Sequence, residues 1–158
     1  MIHCIRCVPF LRTLRETTWL TLLLASSPVL AQAQSRRPLQ PQDVSDITAL
    51  VMLEDTRDFN QDALTRILQS SHPDVRRRAA QSIARINDRR GRAQLRALIS
   101  DADTSVAATA VFGLGQLKDS AAVPLLDSLL SSPRTPVTVA AEAARSLGKI
   151  RTPDARPI

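Results

Sequence analysis

Apolar residues recur along this chain at helical spacing, and one pattern of them returns three times. Val75, Ala79, Ile83 and Ile86 step by 4, 4 and 3 residues, which stacks them on one helix face. The series comes back as Val106, Ala110, Leu114 and Leu117 after 31 residues, and as Val139, Ala143, Leu147 and Ile150 after a further 33. Ala80, Val111 and Ala144 run beside it. A second series lies between these copies. Leu64, Ile67 and Leu68 recur as Leu95, Leu98 and Ile99, then as Leu126, Leu129 and Leu130, at a constant 31. The two additional residues of the longer interval therefore fall in the loop 131–136, where an insertion costs little.

These stripes predict seven helices, at about 43–57, 60–70, 73–87, 89–100, 104–117, 120–131 and 136–150. Asp43, Asn60, Asp103 and Asp119 stand at N-cap positions, and Pro73 and Pro136 suit first helical turns. No helical pair can bury its stripe alone, whereas copies stacked side by side bury the stripes continuously. The expected fold class is therefore all-α, a solenoid of stacked antiparallel helical hairpins over 43–150. Ala84, Gly115 and Gly148 share a column. Glycine inside a helix costs about 1 kcal/mol relative to alanine, so this column implies close approach of neighbouring helices.

Composition narrows the core. Apolar residues make up 44% of the 158 residues but aromatics only 3%, so the core must be aliphatic and alanine-rich. Side chains that small suit closely packed helices and disfavour a deep, aromatic-lined ligand pocket.

The N-terminus reads as an address. Residues 1–18 hold three arginines and one acid, and 19–30 run WLTLLLASSPVL, an apolar stretch of 12 interrupted by Pro28. A bilayer span takes about 20 apolar residues, so a permanent transmembrane helix is not expected. Ala31, Gln32 and Ala33 give the small-x-small pattern of signal-peptidase cleavage, placing a signal peptide at 1–33 and a flexible linker at 34–42. No cysteine follows the apolar stretch, so lipoprotein anchoring is not supported. His3, Cys4 and Cys7 would otherwise suggest a redox or zinc motif, but they fall in the segment to be removed and have no second ligand pair. The mature chain then has no cysteine, and packing alone must hold it. Its 18 basic and 14 acidic residues leave a net charge near +4, too mild for a dedicated nucleic-acid binder.

The stretch HPDVRRRAAQSIARI, with its later versions SVAATAVFGLGQL and VTVAAEAARSLGKI, resembles the second helix of short HEAT-like repeats. This is the variety of about 30 residues first associated with phycobilisome lyases. AAVPLLDSLLSS resembles the family's first helix, and 43–57 looks like a degenerate N-terminal copy. The resemblance implies a right-handed solenoid. It also implies that Asp74 and Arg76, matching the family's Asp-x-Arg, are structural. Ankyrin and tetratricopeptide signatures are missing. After Ile150 the chain reads RTPDARPI, the opening of another first helix. A solenoid normally finishes with a polar capping repeat, so 151–158 is expected to be an incomplete further repeat or a tail.

Candidate chemistry is sparse. His72 is the one histidine left after cleavage, and it stands before Pro73 without a carboxylate to orient it as a base. A loop residue capping the next helix is the expected role. Some HEAT-like proteins are di-iron hydroxylases built on His-Glu pairs, and no such pair occurs here. Others are bilin lyases or their relatives, an activity that the repeats alone do not transfer. FGLGQLK lies within a predicted helix and lacks phosphate-loop spacing. No catalytic residue, metal or cofactor is expected.

The distinctive surface feature is basic. Eight arginines lie between residues 76 and 96, with Asp88 as the one acid. Arg78, Arg85 and Arg89 share a face away from the apolar stripe, and with Arg77 they form a candidate binding patch. The patch would suit an acidic partner, whether protein, glycan or lipid headgroup, or it is simply a solvated helix face. Base-stacking aromatics do not interleave, which disfavours single-stranded nucleic acid. The leading expectation is an exported, periplasmic or secreted, non-enzymatic scaffold that binds another protein. The alternatives are a polyanion- or membrane-surface-binding protein using the 76–96 cluster, or a piece of a larger lyase- or oxidoreductase-like repeat protein.

Overall fold

Seven α-helices form the regular structure of residues 37–151, the part of the chain described by this computed structural model. They are α1 (Pro41–Thr56), α2 (Gln61–Leu68), α3 (Pro73–Ile86), α4 (Arg92–Leu98), α5 (Thr104–Gln116), α6 (Val123–Ser131) and α7 (Val137–Arg151). Short 3₁₀ turns, Arg89–Gly91 and Ser120–Ala122, lead into α4 and α6, so the helices expected at 89–100 and 120–131 each begin with a tighter turn. The expected signal peptide at 1–33 lies outside the described residues, as does the tail beyond Arg151. The linker expected at 34–42 is shorter at its far end, because Pro41 and Gln42 already belong to α1.

The helix starts follow from their capping chemistry, with three corrections. Asn60 and Asp103 are N-caps, accepting from Ala63 N at 3.0 Å and from Ser105 N at 2.8 Å. Asp43 lies inside α1 instead, where its carboxylate reaches back to accept from Gln40 N at 2.8 Å. Asp119 makes no capping bond; its buried carboxylate lies 3.3 Å from Arg96 Nε of α4. Pro136 precedes α7, and its carbonyl accepts the N–H of Ala140.

The ends of α1, α3 and α5 share one turn. Arg57, Asn87 and Lys118 each adopt a left-handed conformation, with φ of 53°, 60° and 46°, and an aspartate follows each. The N–H groups of Asp58 and Asp119 return to the carbonyls of Leu53 and Leu114. Counting back from these turns puts α1 in register with α3 and α5.

Packing follows the two stripes. α1, α3, α5 and α7 lie side by side as one layer, and α2, α4 and α6 pack on it against α3, α5 and α7. Val75, Ala79, Ile83, Val106, Ala110, Leu114, Leu64, Leu95 and Leu126 are wholly buried between the layers. The result is an all-α solenoid. Within the inner layer the helices meet through small residues. A Cβ placed on Gly115 of α5 would stand 2.5 Å from Ser146 Oγ and 2.9 Å from Ser146 Cα of α7. Gly148, in the same column, has nothing within 4 Å of such a Cβ, so close approach accounts for Gly115 and not for Gly148.

Polar bonds fix the loops between copies. Ser70 Oγ, Asp101 Oδ1 and Ser132 Oγ, spaced by 31, each accept the N–H two residues on. Arg76 spans two of these loops, donating to both oxygens of Asp101 at 2.7 and 2.8 Å and to Ser70 O at 2.8 Å. Arg76 is therefore a structural tie between copies, in keeping with the role that the resemblance implies for it.

Two glycine substitutions separate these packing environments. Gly115→Ala should lower stability by about 1–2 kcal/mol, because overpacking against Ser146 outweighs the gain in helix propensity. Gly148→Ala should raise it by about 0.5–1 kcal/mol. Chemical denaturation followed by circular dichroism measures both; equal effects would contradict the junction geometry.

Candidate interaction surface

The arginines between 76 and 96 do not form one free basic patch. Arg78 donates to Glu54 Oε1 at 2.5 Å and Arg85 to Glu54 Oε2 at 3.1 Å, so α1 holds two members of the expected patch. Arg77 pairs with Asp74 one turn away at 3.1 Å and stays exposed. Arg89 sits exposed in the 3₁₀ turn before α4. Elsewhere in the cluster Arg90 pairs with Asp88, Arg96 faces Asp119, and Arg92 donates to the carbonyls of Leu117 and Lys118. The segment looked unbalanced along the sequence because its acids come from other copies: Glu54, Asp101 and Asp119.

Glu54 is the electrostatic centre of the α1–α3 junction. Its side chain is only 11% exposed, and Oε1 also accepts from Ser82 Oγ at 2.5 Å. Burial by itself would raise the carboxyl's pKa. The hydrogen bonds from Ser82, Arg78 and Arg85 outweigh it and hold the group below its ordinary range.

The surface left for recognition is the side of the inner layer turned away from the outer helices. Gln81 and Arg85 lie nearly opposite Ile83 on α3, and Phe112 and Gln116 hold the matching positions on α5. An open groove of about 490 Å³ runs there, lined by Arg57, Gln81, Arg85, Asn87, Phe112 and Gln116. A shallower depression adjoins it between α5 and α7, sharing Gln81 and Phe112 and adding Arg77 and Glu142. Phe112 is half-buried between the two, with Lys149 Nζ 4.4 Å from its ring centre. An aromatic ring within a polar rim is the usual anchor of a protein interface, and an open groove suits a macromolecule better than an enclosed small ligand. Sequence reasoning passed over Phe112. The available signal was its column, which is polar in the flanking copies as Gln81 and Arg145.

His72 is a structural residue. Nδ1 accepts from Asp74 N at 3.2 Å, capping α3, which places the ring proton on Nε2 to donate to Arg37 O at 3.0 Å. Both nitrogens serve the loop, and the side chain is buried. Among the described residues no cluster of His, Cys, Asp and Glu is arranged to hold a metal ion, and no helix is long and apolar enough to cross a membrane.

A family model described as HEAT repeats matches the chain twice, at residues 61–143 and 93–158. No curated protein matches it significantly.

The Glu54 cluster generates a pH dependence. A carboxyl whose pKa is lowered on folding stabilises the native state above its unfolded value, near 4.5, and that contribution is lost as pH falls through the folded value. Glu54→Gln should therefore cost about 1–3 kcal/mol at pH 7 and much less near pH 3. Urea denaturation at the two pH values measures the difference; an equal cost at both would contradict the assignment.

Proposed function

The chain belongs to the HEAT-repeat family, and from that premise we propose that it is an exported, non-enzymatic scaffold that binds another protein on the α3–α5–α7 face around Phe112. HEAT repeats form helical scaffolds that typically mediate protein interactions. The observation that carries the proposal is the open groove over α3 and α5, lined by Phe112, Arg57, Arg85 and three side-chain amides. Export rests on the charged, apolar and small-x-small pattern of residues 1–33. The non-enzymatic reading is supported by His72, the most versatile acid–base side chain after Ala33, being committed at both nitrogens to the α3 loop.

The second reading is an anionic glycan or membrane surface bound through Arg77, Arg78, Arg85 and Arg89. The exposure of Arg77, Arg85 and Arg89 favours it, while the Glu54 carboxylate shared by Arg78 and Arg85 weakens it. The likeness to short lyase-type repeats bears on repeat shape and brings no activity with it.

Purified protein immobilised against an extracytoplasmic extract should retain a discrete protein at high salt. Phe112→Ala should weaken that retention by about tenfold or more, whereas Arg89→Ala, outside the groove lining, should change it little. Binding that disappears with salt, ignores Phe112 and needs the arginines would establish the anionic-surface reading instead. Export has its own test. The intact mass of the secreted chain should correspond to Gln34 as first residue, and the protein should have almost no absorbance at 280 nm, since Trp19 is removed and the sequence has no tyrosine. A normal tryptophan absorbance would contradict cleavage.

A further inference from the structure

The tie between the loops before α3 and α5 has no counterpart at the next pair of loops, and a cavity lies there instead. Arg76 reaches from the start of α3 to Ser70 O in the loop before it and to the Asp101 carboxylate in the following loop. One repeat further on, Ala107 stands in the place of Arg76 and Ser132 in the place of Asp101. Both charges are lost together, and neither replacement is long enough to cross from loop to loop. An open cavity of about 240 Å³ occupies the position. It is lined by Asp101, Ala107 and Ser132, the counterparts of Ser70, Arg76 and Asp101.

The cavity combines an apolar floor with a polar mouth. Ile99, Ala107 and Val139 are buried aliphatic side chains, and Leu129 is half-buried beside them. Arg134 and Thr135 also line it, from the loop 131–136 that carries the two additional residues. The Arg134 side chain is exposed, and among the described residues no carboxylate pairs with it. The acids nearby are committed elsewhere. Both oxygens of Asp101 accept from Arg76, and Asp103 caps α5 by accepting from Ser105 N and Val106 N. Among the described lining residues, the charge left without a partner is therefore positive.

The loops thus hold one half of an ion pair where the previous copy holds both. We propose that the cavity binds a carboxylate carried on a short, branched aliphatic group. The aliphatic part lies over Ile99, Ala107 and Val139, where burial of apolar surface favours it. The carboxylate meets the Arg134 guanidinium, a pairing that can be bidentate, with the Ser132 and Thr135 hydroxyls able to donate beside it. A free aliphatic acid and the C-terminal leucine of a peptide present this same chemistry. The cavity shares no lining residue with the groove around Phe112, so the proposal stands or falls independently of what that groove binds.

Methyl NMR of the purified protein titrated with isocaproate at neutral pH tests this. Resonances of Ile99, Leu129 and Val139 should shift with a dissociation constant of about 1 mM, the scale for a ligand of so few atoms. Isocaproamide, similar in shape but uncharged, should bind about tenfold more weakly. Arg134→Gln, at an exposed position, should erase that difference between acid and amide. Ala107→Arg fills the cavity with the side chain used one copy earlier and should abolish binding of both probes, with circular dichroism unchanged. N-acetyl-leucine separates the two sources: tighter binding than isocaproate marks a peptide C-terminus, and weaker binding marks a free acid. Methyl resonances that do not move at about 20 mM isocaproate would overturn the proposal. So would equal affinity for acid and amide, or affinity for isocaproate unaltered by Arg134→Gln.

Discussion

Everything in this structure depends on how closely the inner helices approach one another. With Phe59 as the one aromatic among the buried described residues, the fold has few large side chains to span wide gaps, and its core is otherwise built from Ala, Val, Leu and Ile. Such a core is dense only if the backbones lie near each other. Gly115 against Ser146 is the tightest expression of that constraint, and Gly113 makes room in the same way for Leu95 of α4. Each hairpin is incomplete by itself and becomes stable by lending one surface to the copy before it and another to the copy after it.

Charge serves the same stacking. Arg76 clamps Asp101 across two loops, and Glu54 gathers Ser82, Arg78 and Arg85 from the neighbouring helix. Both arrangements sit where helices from different copies meet, and both fix the angle and register of a junction that small apolar side chains leave loosely specified. The excess of arginine in the middle of the chain is thus partly structural. What remains outside these ties, Arg57 and Arg77 with the half-buried ring of Phe112, lies on the face available to a partner.

The helices and their order were legible in the sequence, because burial on one face of a helix leaves a spacing that survives every copy. Val75, Val106 and Val139 announce the inner layer, and Leu64, Leu95 and Leu126 the outer one. Asn60, Asp103 and Pro73 mark helix starts through local chemistry that involves only a few neighbouring residues. Ion pairing was not legible. Glu54 meets Arg78 and Arg85 from 24 and 31 residues away, a distance along the chain that only the stacking of copies abolishes. Asp119 misled for a related reason: it occupies a capping position, but its carboxylate faces Arg96 instead. The first copy was faint because its column residues are Met52 and Glu54 where later copies have small ones; the left-handed turn at Arg57 identifies it.

Hydrogen exchange on dilute, monomeric protein tests the central claim that stability passes from copy to copy through the inner layer. Protection should be greatest in α3 and α5, which have an inner-layer neighbour on both sides, and should fall towards α1 and α7. Protection in α1 and α7 equal to that in α5 would contradict the account, because it would mean that each end is held by something other than its single neighbour.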